Sequence, residues 1–328
     1  MDPFLLSELD FIQSLQGGLG GLVSFFKGIT FLGNEEFYLL IIPLLYWCVD
    51  AGLGPRIGVM LIFSNVFNSA LKLAFHSPRP YWIDSTVRAF SSETSFGMPS
   101  GHAQNAASLW GLAAVKIRKT WFRWLAVLLI LLIGLSRMVL GVHFPSDVLV
   151  GWGVGGLLLT AYLQLEKPVI RWFNGLNPSR QFTVALASSL VILLSGFLVL
   201  LGVSRWSLPP EWGQTALLAA PQDPINPLTL APFFTVGGTW LGFLTGLILM
   251  LRSGGLMNVT GSPLQLSGRF LIGIAGVLVL YAGLGALFPR EPEMVGYGFR
   301  FLRYSLIGFW ISAAAPFLFL RLNLARRI

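Results

Sequence analysis

Between Phe96 and His102 the chain reads Phe-Gly-Met-Pro-Ser-Gly-His, which gathers two glycines, a proline, a serine and a histidine in seven residues. Gly97 and Gly101 permit close backbone approach, and Pro99 stiffens the entry. The apolar run 103–115 that follows predicts a helix beginning at Ser100. The N-terminus of such a helix presents unpaired N–H groups and partial positive charge, a setting for an anion. His102, beside it, could give or take a proton. A capped helix with a satisfied histidine would also read this way.

Other ionisable groups stand in apolar surroundings. Lys72 follows a hydrocarbon run, and Arg79 lies in Ser77-Pro-Arg-Pro80. Arg137 lies in Leu135-Ser-Arg-Met-Val-Leu-Gly-Val-His143, and Asp147 follows His143 by four residues, one helical turn. Charge within a span is costly unless paired, so each is a candidate functional group. Taken singly, each has a plain alternative. Lys72 could snorkel to headgroups, Arg79 could anchor at the interface, and Arg137 could pair with a lipid phosphate or with Glu93. His143 and Asp147 could be a structural pair. Together, three cations and two histidines fall at the ends of separate spans on one membrane face. Three cations call for a polyanion, and phosphate is the obvious one.

The elements that must carry these groups are membrane helices. Of 328 residues, 55% are hydrophobic and 11% charged, against about 25% charged in a soluble domain. Mean hydropathy is +0.73. The fold class expected is an all-α integral membrane protein. Cys48 is the single cysteine, so no disulfide forms within the chain. The net charge of +8 is assigned to cytoplasmic loops, with no nucleic-acid partner. No cleavable leader is expected, because the first apolar segment is broken by Glu8 and Asp10.

Residues 4–16 place Leu5, Leu9 and Ile12 on one helical face, with Glu8 and Asp10 elsewhere, and read as an amphipathic helix in the interface. Gly17, Gly18, Gly20 and Gly21 loosen the chain, and 22–32 is too short to count as a span. About nine spans follow, near 37–54, 56–76, 101–117, 122–142, 147–165, 181–203, 231–251, 270–288 and 301–320. The alternate loops then divide the charges. One side holds thirteen of the 22 basic residues and two of the 14 acidic ones. By the positive-inside rule that side is cytoplasmic and includes the C-terminus. The motif residues fall on the other, non-cytoplasmic face.

The spacing Lys72-x6-Arg79-Pro80, Pro99-Ser-Gly-His102, Ser136-Arg137-x5-His143-x3-Asp147 resembles the three-part signature of the type 2 phosphatidic acid phosphatase superfamily. The resemblance covers residues 72–147. A looser likeness to the glucose-6-phosphatase branch rests on the nine-span layout, Arg79-Pro-Tyr-Trp82, Glu93-Thr94 and Pro210-Glu-Trp212, whereas Asp147 sides with the lipid-phosphatase pattern. The family implies a six-helix phosphatase core within 37–165, after an N-terminal segment 1–36 on the non-cytoplasmic face. Three C-terminal helices and an outer loop 204–230 would follow within 166–328.

The resemblance also implies roles. His143 would be the nucleophile and Asp147 would fix its tautomer. His102 would protonate the leaving oxygen and then activate water. Lys72, Arg79 and Arg137 would hold the phosphate oxygens, and Ser100 and the Gly101 N–H would complete the cradle. No cluster has metal-ligand spacing, so neither metal nor cofactor is expected. The implied activity is a metal-independent phosphatase of a phosphomonoester. A lipid phosphate is the first choice and a soluble sugar phosphate the alternative, with membrane lipids as surroundings. An anion transporter and a vanadate-dependent haloperoxidase are the rival classes. His76 could line the pocket rim, and Glu93, Asp84 and Arg88 could form a lid. Ser136 would support its helix. Asn65, Asn68, Gln104 and Asn105 could bond between helices. Loop 204–230 could cover the pocket, and the glycines of the last three spans could flank the core or form a homo-oligomer contact.

Overall fold

The computed structural model describes residues 3–289 and 293–327, so Asp2, Arg290 and Glu291 of the expected outer-face charges lie outside the described residues. Among the described residues the chain is all helical, apart from one isolated antiparallel bridge, Met257 to Arg327. The helices are α1 Pro3–Leu19, α2 Val23–Phe31, α3 Glu35–Leu44, α4 Leu53–Phe75, α5 Pro80–Ile83, α6 Gly101–Asn105, α7 Gly111–Ile117 and α8 Thr120–Val139. After them come α9 Pro145–Asn174, α10 Pro178–Gly202, α11 Pro210–Ala219, α12 Ala231–Arg252, α13 Pro263–Leu278, α14 Leu284–Leu287, α15 Met294–Phe309 and α16 Ala315–Arg321. Single π turns continue α3 through Val49 and bridge α6 to α7, α13 to α14 and α15 to α16.

Local chemistry explains several boundaries. Asp50 Oδ1 accepts from Gly52 N at 2.7 Å and Leu53 N at 2.9 Å, capping α4. Ser262 and Gln265 form a reciprocal capping box at α13. Arg118, at φ 56°, closes α7 in the left-handed region.

The expectation of nine spans is met only in part. Among the described residues seven helices are long and apolar enough to cross a membrane, with an eighth if the bent pair Pro3–Phe31 and Glu35–Val49 counts as one. The stretch expected at 101–117 is helical from Gly101 to Ile117 through a π turn, but it is shorter than the seven. Glu35–Leu44 carries Pro43 and runs on only to Val49. The six-plus-three division does not follow either. One compact unit takes the chain up to Phe37, Phe67–Ala161 and Leu198–Thr229. The other takes Tyr38–Val66, Tyr162–Phe197 and Leu230 onward.

Within the second unit several glycines of the last spans serve helix packing inside the chain. A Cβ at Gly238, Gly242 or Gly246 of α12 would collide with Phe301 O, Ser305 O or the Ser312 hydroxyl. One at Gly273 would enter the Trp47 ring. Small residues thus bring α12 and α15 close over much of their length.

Within the first unit α1 and α2 pack on α8, and α11 packs on α5. The first segment thus packs on the rest of its unit through α8. Leu9 and Ile12 are buried as expected, but Glu8 is buried with them.

Candidate active site

The site grows from the entrance to α9. Pro145 begins the helix, where a missing N–H costs nothing, and Asp147 lies in its first turn, where the helix dipole favours an anion. Asp147 Oδ2 accepts from Phe144 N at 3.0 Å and from His143 Nδ1 at 3.1 Å. The Asp147 carbonyl accepts Ser100 N at 2.9 Å, which ties the Pro99-Ser-Gly-His102 turn to this entrance. With its proton held on Nδ1, His143 keeps a lone pair on Nε2, and that atom faces Arg79 Nη1 at 3.1 Å. Burial first, and then the charges of Arg79, Lys72 and Arg137, push the His143 imidazolium well below its ordinary range. The ring is therefore neutral and nucleophilic near neutral pH.

Arg79 is fully engaged. Nε donates to Ser95 O at 2.6 Å, and Nη1 donates to Val142 O at 2.8 Å as well as facing His143. Nη2 donates to Ser95 Oγ at 3.2 Å and Phe96 O at 3.0 Å. All five guanidinium N–H groups are thus in use. Lys72 Nζ donates to Phe96 O, with Gly97 O at 3.5 Å. Two of the three expected cations therefore hold the 95–97 backbone, and Arg79 ties it to His143.

Arg137, 1% exposed, donates from Nη1 to Thr30 Oγ1 at 2.8 Å and pairs through Nη2 with Glu93. Its Nε is buried with no partner. Glu93 Oε2 also stands 3.9 Å from Arg79 Nη2. Burial alone would raise the Glu93 carboxyl, but the Arg137 and then the Arg79 guanidinium outweigh it and hold it at about 2. A side-chain carboxylate thus sits on the cations expected to hold a phosphate.

Ser100 caps α6 through Oγ, which accepts Ala103 N at 3.4 Å. Gly101 lies against Asn68, where a Cβ would meet Oδ1 at 3.0 Å. Asn68 Nδ2 bonds Pro99 O at 3.2 Å and Gln104 Oε1 at 3.0 Å, joining α4 to the motif turn. His102 Nε2 lies 2.8 Å from Asn34 Oδ1. Ser136 Oγ turns back to Ile133 O at 2.6 Å, a helix contact.

The expected lid residues are pinned. Asp84 Oδ1 takes Thr86 N at 2.8 Å and Oδ2 faces Gln13 Nε2 at 3.3 Å, while the Arg88 carbonyl accepts Gln16 Nε2 at 2.8 Å. Part of loop 204–230 lies on this region. Trp206 packs on His76 at 4.9 Å and Phe96 at 5.4 Å between ring centroids, and Trp212 on Trp82 at 6.4 Å. Asn226 N donates to Thr94 O at 3.0 Å. His76 has φ 37° and a buried Nδ1 without a partner.

Three polar groups go unread in the sequence, Thr30, Asn34 and Ser95, and Glu8 reads only as a charge off the apolar face. Each acts through one or two hydrogen bonds from an element with no motif of its own. Among the described residues no three His, Cys, Asp or Glu side chains gather as a metal-ligand set.

A carboxylate-oriented imidazole beside three basic side chains, at the ends of apolar helices, is a membrane site suited to an oxyanion. The comparisons with known proteins agree. The model of the PAP2 superfamily matches residues 55–171, and that of the PAP2 superfamily phosphatase transmembrane extension matches 234–327. The chain belongs to the PAP2 superfamily, a family of membrane phosphatases. It is 31% identical to phosphatidylglycerophosphatase B of Bacillus subtilis (strain 168) over 44% of this chain and 75% of that protein. It is 26% identical to glucose-6-phosphatase 3 of Bos taurus over 97% of this chain and 96% of that protein. With lipid phosphate phosphatase delta of Arabidopsis thaliana it shares 26% identity over 54% of this chain, and it spans only 45% of that relative's length.

Proposed function

We propose that the protein is a metal-independent phosphatase that hydrolyses a phosphomonoester through a phosphohistidine at His143. The observation that carries this is the Asp147–His143 hydrogen bond, which keeps the ring proton on Nδ1 and leaves the Nε2 lone pair, here accepting from Arg79 Nη1, as the atom that attacks once a phosphate takes that donor. His143 Nε2 bonds to phosphorus as the ester P–O bond breaks, and His102 gives a proton to the departing oxygen. Water then attacks the phosphorus, its proton passes to His102, and the P–N bond breaks. Asp147 stabilises the charge that develops on His143. Lys72, Arg79 and Arg137 hold the non-bridging oxygens, with Ser100 and the Gly101 N–H at the helix start. Arg79 does so by turning its Nη1–H from His143 Nε2 to a phosphate oxygen as substrate enters. Arriving phosphate takes Arg137 from Glu93. The charge is met by basic side chains, so neither metal nor cofactor is needed.

A lipid phosphate is the proposed substrate class, because the groups sit at the ends of membrane helices where a headgroup arrives laterally. A sugar phosphate is the second reading, favoured by the match to glucose-6-phosphatase 3 over nearly both whole chains. If Glu35–Val49 and Gly101–Ile117 cross alongside the seven longer helices, the count is nine. The site then faces away from the cytoplasm and the C-terminus faces it. Phosphate release by detergent-purified protein from phosphatidic acid, a sphingoid-base phosphate, undecaprenyl diphosphate and glucose 6-phosphate tests the class. Strong preference for glucose 6-phosphate overturns the lipid reading. His143→Ala should abolish release, and a chelator should leave it unchanged.

A further inference from the structure

The N-terminal segment precedes the family match, which begins at residue 55, yet it reaches the site three times. Glu8 accepts Ser146 N at 2.7 Å and Ser146 Oγ at 2.9 Å, in the first turn of α9 beside Asp147. Thr30 accepts Arg137 Nη1 at 2.8 Å. Asn34 Oδ1 stands 2.8 Å from His102 Nε2. Gly33, next to it, lies so close to the imidazole that a Cβ there would be 2.7 Å from His102 Cδ2. These are one contact each to the helix that carries Asp147, to a phosphate-facing cation and to the second histidine.

We propose that this segment is a working part of the active site and that Asn34 is the positioning residue of His102. The inference rests on the phosphatase reading for what His102 does, but its geometry stands by itself. An amide oxygen accepts only, so it keeps a proton on Nε2 in both charge states of the ring. Nδ1 is then the atom that changes protonation. As imidazolium, His102 gives the Nδ1 proton to the leaving oxygen when the P–O bond breaks. As the neutral Nε2–H tautomer, it takes a proton from the attacking water at Nδ1. Without Asn34 the two neutral tautomers compete, and the ring can turn its bare nitrogen the wrong way.

The charged groups that bear on His102 are Arg137, Glu93, Arg79 and Lys72. All four lie on other elements and stay unchanged in the variants below. The test is ¹⁵N NMR of histidine-labelled full-length protein in detergent, where three histidines give few signals and His76→Gln and His102→Gln assign them. Wild-type His102 should be in the Nε2–H form. Asn34→Ala should shift it toward a tautomer mixture. Asn34→Asp should keep Nε2–H and raise the apparent pKa of His102 by about one unit, as a neighbouring carboxylate does. Turnover should follow. Asn34→Ala should lower kcat at least about 10-fold with KM nearly constant, and Asn34→Asp should recover part of it with the pH profile moved upward.

A wild-type His102 in the Nδ1–H form, or a tautomer indifferent to Asn34→Ala, overturns the proposal whatever the enzyme hydrolyses. If Asn34→Ala does not fold, the wild-type and Asn34→Asp spectra still decide. Failure of the wild type to release phosphate from any ester would remove the reaction and leave the tautomer result standing, so the two readings fail separately.

Discussion

Replacing Arg79 by lysine keeps the charge and removes the fork, and the structure sets the size of the consequence. Five N–H groups of Arg79 reach five acceptors: Ser95 O, Ser95 Oγ, Phe96 O, Val142 O and His143 Nε2. Lysine offers three donors at a single point, so at least two of these acceptors lose their partner. Each buried acceptor left bare costs about 1–3 kcal/mol, which puts the destabilisation at roughly 2–6 kcal/mol. Arg79 is 1% exposed, so solvent does little to soften that figure. The effect on the reaction is separate. Nη1 aligns His143 Nε2, and losing an aimed electrostatic contact costs on the order of 10²–10³ in rate. The assay pairs a tryptophan-fluorescence melt of detergent-purified Arg79→Lys with phosphate release at saturating substrate. A variant with wild-type melting and wild-type turnover would falsify the clamp argument, because the charge would have sufficed without the geometry. A variant that melts early yet turns over normally would confine Arg79 to structure.

Asp147→Asn should lower kcat by about 10²–10⁴ and leave KM within a few-fold, since the amide no longer fixes the His143 tautomer or balances its charge. An unchanged kcat would remove Asp147 from the mechanism. Gly97→Ala should disturb the same carboxylate from the other side, because its Cβ would meet Pro78 O at 2.6 Å and Asp147 Oδ2 at 2.9 Å. A loss of about 1–3 kcal/mol with reduced turnover is expected in the melting and release assays. Glu93 supplies a pH test. Its folded carboxyl is held at about 2, below an unfolded value of about 4.3, so its stabilisation is complete above that value and is lost as pH falls from there toward 2. Wild-type melting should drop over that window while Glu93→Gln stays flatter. Parallel curves would refute the ion pair with Arg137.

The motif residues could be read from the sequence because their chemistry is costly where they stand. Lys72, Arg137 and Asp147 are conspicuous in hydrocarbon, and the four-residue step from His143 to Asp147 brings the two side chains together. It does so as a carboxylate in the first turn of α9 reaching back to a residue before it, rather than as two residues on one helix face. What spacing could not carry was the set of partners each would take. Glu93 was legible only as one possible mate for Arg137. The complete occupancy of Arg79 depends on where the backbone of 95–97 and 142 passes, which no periodicity encodes. Thr30 and Asn34 are single polar residues near a helix end, and such residues usually serve turns. Glu8 was misplaced because an amphipathic wheel sorts residues into wet and apolar faces, and Glu8 is buried through the hydrogen bonds it accepts from Ser146 rather than through apolar contact. The difference between nine expected spans and seven long helices rests on two short apolar stretches, Glu35–Val49 and Gly101–Ile117, whose lengths hydropathy alone does not judge.

The unit that holds the site is assembled from three stretches that leave the ribosome at different times. Residues near Glu8 and Asn34 are made first, the motif segments next, and Trp206, Trp212 and Asn226 later, after the whole of α10 has been synthesised. Asn226 N docks on Thr94 O, and Ser92 Oγ reaches Asp223 Oδ2 at 2.5 Å. The backbone clamped by Lys72 and Arg79 therefore waits for a segment of nascent chain still to come. During biogenesis His143 and Asp147 are present well before Trp206, Trp212 and Asn226, and a stall or truncation beyond α9 would leave a membrane-inserted intermediate in which the candidate site lacks the segment that packs on it.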